Sequence, residues 1–299
     1  THILWEAPFA EYICDHPHVS FNHRSLKMDQ LLNSSETAGY DSISAAIGAT
    51  QAYNKDTNKG LYTITLNENL AEDVVIPEGR YIKIDLNGHT LTNKESHTIF
   101  NNSTRITIVD TSAEKTGVVD NISHGRGAVY NNINAAITLQ GGTYTRSQEA
   151  STGSDASGSN SWYVLKNFGT MTIKDGVTVK FSDSNSGLYS SLIGNGWQNS
   201  SAAENGSNGE PQPSAGGKQA KLTINGGTFK GKRTCSVDID NCEKIVINGG
   251  SFETSLTDLE RTTETIINGG LFNEKLYVAG DKCTVNGGLF TAENDPLPE

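Results

Sequence analysis

The stretches LTINGGTFK (222–230), IVINGGSFE (245–253), TIINGGLFN (265–273) and CTVNGGLFT (283–291) repeat one phrase four times. Their asparagines, Asn225, Asn248, Asn268 and Asn286, are 23, 20 and 18 residues apart, the spacing of a solenoid in which each coil adds one rung. Upstream the phrase weakens but keeps its phase: ITLQGGTYT places Gln140, MTIKDGVTV places Lys174 and IDLNGHTLT places Asn87 at the anchor position.

Each residue type in the phrase answers a stereochemical demand. Ile224, Ile247, Ile267 and Val285 precede the anchors and read as the buried face of a strand, where side chains alternate with period two. Leu222, Ile245, Thr265 and Cys283, three before the anchors, are also mostly apolar, so a bend or bulge is expected between the two sets. The Gly-Gly pair suits a corner that requires positive φ and close backbone approach. Phe229, Phe252, Phe272 and Phe290 then re-enter the core. With rungs about 4.8 Å apart, the asparagines lie above one another and form an amide ladder. Independent Asn-Gly hairpins would give the phenylalanines no reason to stay in phase.

A second strand precedes each anchor strand: AVYNN, YVLKN, SLIGN, SVDIDN and LYVAG. Aligned on Asn132, Asn167, Asn195, Asn241 and Gly280, they direct Tyr130, Leu165, Ile193, Ile239 and Val278 inward. The expected fold is a single all-β domain, a parallel β-solenoid over residues 57–292. Residues 42–56 form a cap and linker, because Ile43, Ala46, Ile47 and Tyr53 of SISAAIGATQAY recur at helical spacing. Residues 1–41 read as an extension with a short helical stretch around Leu26–Leu32. Residues 293–299 read as a tail or domain boundary without a matching cap, from which tethering through other domains of a longer chain is expected.

The run YTITLNENLAEDVVIPEGRYIKIDLNGHTL, together with the INGGTF coils, resembles the right-handed β-helix, pectin-lyase-like repeat regions of secreted and cell-surface proteins of gut Gram-positive bacteria. The resemblance covers roughly residues 42–292. It implies a single-stranded right-handed parallel β-helix with an N-terminal capping helix and a secreted or cell-surface location. Proteins of that fold include polysaccharide lyases, glycoside hydrolases and glycan-binding adhesins, so function has to come from a site.

Composition narrows the partners. The 299 residues carry a formal charge of −11, which weighs against nucleic acid and anionic lipid, and no apolar run is long enough for a membrane span. Cys14, Cys235, Cys242 and Cys283 lack paired zinc spacing. A Cys235–Cys242 bridge would close a small loop, and Cys283 reads as core filling. His16, His18 and His23 read as exposed loop histidines, with no second cluster to complete a metal site.

Two insertions mark a face. RSQEASTGSDASGSNS (146–161) and QNSSAAENGSNGEPQPSAGGKQA (198–220) flank one strand column from opposite sides, with Trp162 and Trp197 at its margins. A groove floored by that column is the expected ligand site, with Trp162, Lys166, Asn167, Asn195, Trp197 and Tyr277 as contacts. Along the same column the alignment stacks Asp238 and Asp240 beside Asp258 and Glu260. Such a cluster admits three roles: a catalytic pair at glycosidase separations, a Ca²⁺ site of oxygen ligands, or a solvated acidic stripe relieved by Arg233, Lys244 and Arg261. Apart from that calcium, no cofactor is expected. Two functions follow: a cell-surface carbohydrate-binding or adhesion module for a host or dietary glycoconjugate, or a glycoside hydrolase and, less favoured, a lyase.

Overall fold

The computed structural model describes residues 26–30, 37–123, 125–147, 163–181, 191–196, 220–233, 235–236, 242–259, 262–278 and 282–291. The chain winds into a right-handed parallel β-helix with three sheets. Each coil runs from a long sheet (Leu61–Leu66 in the first coil, Cys283–Val285 in the last) to a second sheet (Leu70–Ala71 to Leu289–Phe290). It then passes to a short third sheet (Val74–Ile76 to Cys235–Ser236) before returning one rung up. Among the described residues no helix is long and apolar enough to cross a membrane.

The core is built from in-register files. Ile64, Ile84, Ile108, Leu139, Ile173, Ile224, Ile247 and Ile267 pair rung to rung along the long sheet, and none is more than 1% exposed. Each such burial contributes about 1.5–3 kcal/mol. No bend separates the two apolar positions of the repeat. Leu222 and Ile224 are two residues apart on one straight strand and therefore share its inner face.

Beyond the corner, Phe229, Phe252, Phe272 and Phe290 stack with ring centroids 4.9, 4.6 and 5.0 Å apart. The corner needs both glycines, for different reasons. A Cβ on Gly249 would stand 2.9 Å from the Asn225 carbonyl oxygen of the rung below, and Gly250 has φ +113°. The expected ladder is present: Asn248, Asn268 and Asn286 each donate from Nδ2 to the Oδ1 of the preceding asparagine at 2.7, 2.7 and 2.8 Å. Register puts Gln140 and Lys174 in its upstream continuation. It puts Asp85, not Asn87, at that level in the earlier coil, because that corner is longer. Asn87 instead turns with φ +47° and donates to the Leu66 carbonyl.

A second, buried ladder runs where the short sheet bends into the long one. Asn101, Asn131, Asn167 and Asn195 are each 0% exposed and linked Nδ2 to Oδ1 at 2.8, 2.8 and 2.6 Å. This ladder corrects the sequence alignment by one residue. Asn131, not Asn132, pairs with Asn167, so Val129 faces the core with Leu165 and Ile193, while Tyr130 lies on the outer side. Farther up, Ile193 pairs with Cys235 rather than Ile239.

The shortening repeat has a structural cause. Ser251–Leu259 is one 9-residue strand whose second half pairs with Lys275–Val278, so the last coils fold two sides into one. Cys283 packs half-buried against the core, and burial pushes its thiol pKa up.

At the other end, Ile43–Ala49 forms the expected capping helix and buries Ile43, Ala46 and Ile47. Ser42 Oγ accepts from Ala45 N–H, and the Glu72 carboxylate of the first coil accepts from Ile43 and Ser44 N–H at 2.8 Å each. The helix stops short of Tyr53: Thr50 is extended, and its hydroxyl donates to the Ile47 carbonyl. Tyr53 instead stacks on Tyr81, centroids 4.3 Å apart. Leu26–Gln30 is a strand, not a helix. It pairs antiparallel with Leu61–Leu66 and covers the backbone edge of the first rung, a gain that outweighs weak helical propensity in so short a segment.

Candidate functional site

The short sheet carries insertions at both of its corners. Ile99, Val129, Leu165 and Ile193 turn inward and are 0% exposed. The alternate positions, Val75, Phe100, Tyr130, Lys166 and Gly194, form one file on the outer face. Phe100 and Tyr130 lie ring on ring, centroids 4.7 Å apart and 9° from parallel. Tyr130 is hemmed in by His97 at 4.8 Å, Phe168 at 5.2 Å and the Lys166 ammonium 5.3 Å above its ring. That leaves Phe100 partly exposed and Val75 open to solvent at the end of the file.

Polar groups border this aromatic surface. Past the bend, Asn132 Nδ2 donates to Asn102 Oδ1 at 2.8 Å, and both side chains are partly exposed. His97 is held by its backbone neighbour: its Nδ1 accepts from Gly127 N–H at 2.9 Å, which leaves the ring proton on Nε2 when the ring is neutral. Tyr130 is 1% exposed and covers one face of the Phe100 ring, so the accessible aromatic surface is the remainder of Phe100, with an amide pair past the bend; that suits a ligand with one apolar face and a hydroxyl edge.

The start of the first insertion follows the second-sheet strand Gly142–Arg146 and is held in place. Asp120 accepts from the Ser147 N–H at 2.9 Å and from the Ser147 hydroxyl; burial nevertheless pushes its carboxyl pKa up. Arg146, one residue earlier, is fully buried, and desolvation lowers its guanidinium pKa to about 9. The chain is described again from Tyr163, whose ring lies against Gly194. A Cβ on Gly194 would come within 2.7 Å of that ring.

The structure redistributes the residues expected from sequence. Lys166 is on the outer file as expected, but it is 1% exposed and packs on Tyr130 rather than lining an open groove. Asn167 and Asn195 point inward and use their amides in the buried ladder, so they are not on the groove floor. Tyr277 is 37% exposed and pairs opposite Asp258, through strands that continue the second sheet. Trp162, Trp197, Asp238, Asp240 and Glu260 lie outside the described residues, as do His16, His18 and His23. The pairing of Ile193 with Cys235 removes the alignment that stacked Asp238 and Asp240 by analogy with Lys166. Among the described residues, no three His, Cys, Asp or Glu side chains gather to hold a metal.

Sequence reasoning missed Phe100, His97 and the Asn102–Asn132 pair. The signal was present in two tandem Asn-Asn pairs, at 101–102 and 131–132, in which the first member enters the core and the second faces out.

The sequence matches no protein-family model, and no curated protein or solved structure is significantly similar to it. The function is therefore read from the geometry alone.

Proposed function

We propose that this protein is an extracellular or cell-surface glycan-binding module of pectin-lyase-like type, its site the outer face of the short sheet. The observation that carries the reading is the Phe100–Tyr130 stack beside the Asn102–Asn132 amide pair, on the one sheet with insertions at both corners. A pyranose ring offers a C–H face to an aromatic ring and equatorial hydroxyls to amides. Buried neighbours hold Tyr130 in place and so keep Phe100 flat without ligand, which lowers the ordering cost of binding. The partner is a host-surface or dietary glycoconjugate.

The test is a glycan array with the intact chain, followed by titration of any hit. Phe100→Ala is expected to weaken binding by about 1–2 kcal/mol, roughly 5- to 30-fold, and to lower the melting temperature by only a few degrees through loss of the Tyr130 stack. Binding that survives Phe100→Ala together with Asn102→Ala and Asn132→Ala would move the site elsewhere. Turnover of an aryl-glycoside that vanishes with Asp240→Asn would replace this reading with a glycosidase.

A further inference from the structure

Six asparagines among the described residues are followed by glycine: Asn87, Asn195, Asn225, Asn248, Asn268 and Asn286. Such a pair is chemically fragile. The glycine nitrogen can attack the side-chain amide carbon, because glycine has no Cβ to hinder the approach. The nitrogen gives its proton to solvent base, the bond from Cγ to Nδ2 breaks, ammonia leaves, and a succinimide ring remains. Water then opens the ring at either carbonyl and yields aspartate or isoaspartate. The reaction needs a side chain that swings free and a glycine N–H that can give up its proton.

The fold denies one or both to most of the six. Asn195 is 0% exposed, and Gly196 N–H donates to the Asn167 carbonyl at 2.9 Å. Asn87 is pinned through Nδ2 to the Leu66 carbonyl at 3.0 Å. Its neighbour Gly88 donates N–H to the Asp110 carboxylate at 2.9 Å, beside which a deprotonated nitrogen is disfavoured. At the four corners of the exposed ladder the glycine N–H meets no acceptor among the described residues, so the side-chain bonds decide. Asn248 and Asn268 are bonded through both ends of the amide, donating to the rung below and accepting from the rung above at 2.7 or 2.8 Å. Asn225 accepts from Asn248 and has Lys174 below it. Its Gly226 is buried, and an Asp175 carboxylate oxygen lies 1.6 Å from where a Cβ would stand.

Asn286 differs from all of these. It is exposed, its ladder bond is the one it donates to Asn268, and no described residue bonds its Oδ1. Its corner is also the most open, since Gly288 and Leu289 are exposed where Gly270 and Leu271, one rung below, are half-buried. We propose that Asn286 is a self-modification site, which deamidates through the succinimide while the bond received from the next rung protects Asn248 and Asn268. Rotation of either of those breaks one more hydrogen bond than rotation of Asn286, which corresponds to a rate about 2- to 12-fold lower. The products carry one more negative charge, and their carboxylate has no N–H to give Asn268 Oδ1.

The experiment ages the intact chain in mildly alkaline buffer and digests samples over time. Mass spectrometry scores deamidation at each Asn-Gly pair, with the modified residue located by fragmentation, and isoaspartyl methylation confirms the succinimide route. The chain unfolded in guanidinium gives the intrinsic rate of each pair, so the ratio of the two rates measures protection by the fold. Asn205 and Asn208, whose pairs lie in the second insertion, are scored separately and do not enter the comparison. Asn286 is expected to show the least protection of the six, about 2- to 12-fold less than Asn248 and Asn268. In Asn286→Ala the Asn268 amide loses its donor from above, and its rate is expected to rise by the same factor. Asn87 and Asn195 are expected to keep the parent's rates in that variant, which separates loss of the ladder bond from a general loosening of the fold. Equal or weaker protection at any of the other five pairs, an Asn268 rate that Asn286→Ala leaves unchanged, or a rise shared by Asn87 and Asn195 overturns the proposal.

Discussion

The two asparagine ladders are nearly identical in geometry and opposite in burial, and their comparison isolates what burial does to a hydrogen bond. Asn167 is 0% exposed; its Nδ2 donates to Asn195 Oδ1 at 2.6 Å and to the Lys221 carbonyl at 3.0 Å, and its Oδ1 accepts from Asn131 at 2.8 Å. Truncation to alanine takes a partner from one buried acceptor, one partly buried acceptor and one buried donor and leaves a small void. Each orphaned group costs about 1–3 kcal/mol, partly relieved because Asn131 keeps its bond to the Thr170 carbonyl. Asn167→Ala is therefore expected to destabilise the protein by about 3–5 kcal/mol. Asn248 makes the same ladder bonds at 2.7 Å on either side, but it is exposed. Water replaces what is lost there, so Asn248→Ala is expected to cost no more than about 1 kcal/mol. Urea denaturation followed by far-ultraviolet circular dichroism reads both, with the denaturant dependence compared to confirm that the same unit unfolds. Equal costs for the two variants, or a cost below about 1 kcal/mol for Asn167→Ala, would refute the claim that the buried ladder holds the bend.

Glycine corners and a helical glycine should respond oppositely to one extra methyl group. Gly249→Ala meets the Asn225 carbonyl oxygen at 2.9 Å and is expected to cost about 1–3 kcal/mol. Gly48→Ala in the capping helix meets nothing within 4 Å and is expected to add about 0.5–1 kcal/mol; the two melting temperatures check the sign of each. Asp110 supplies a pH signature. Burial opposes its charge, but the Ser112 hydroxyl and the N–H groups of Gly117, Gly88 and Ser112 more than compensate, so its carboxyl pKa lies below the ordinary 3.8. A depressed carboxylate stabilises the fold above its unfolded pKa and loses that contribution as pH falls through the folded one. The stability gap between the parent and Asp110→Asn should thus be full at neutral pH and close in strong acid, as measured by denaturation across a pH series. Removal of divalent cations with EDTA is expected to leave the melting temperature unchanged, since the described coils close through apolar files and amide ladders. A fall of several degrees would show that a bound divalent cation contributes to stability.

Much of the fold was legible because the repeat contains residues with few substitutes. Only glycine tolerates both the carbonyl contact at Gly249 and the positive φ at Gly250. Phenylalanines four residues past each anchor stack only if the coils share one phase. The candidate site was less legible because it depends on which side of a strand a residue takes. With period two, a one-residue slip reverses every face. The tandem asparagines at 131–132 left that slip open, so Tyr130 read as core; Asn167 and Asn195 read as groove although they stand two residues past the inward Leu165 and Ile193 and so share their face.

From the sequence alone came the repeating unit, the Asn-Gly-Gly corner, the phenylalanine column, the capping helix and the two insertion points, all set by local stereochemistry or by periodicity within a coil. Only the tertiary structure decided which asparagine of each pair enters the core and that the last coils merge two sides. The physical reason is that neighbours across rungs are fixed by coil length and corner shape. Both vary along this chain, and neither is written in any single rung.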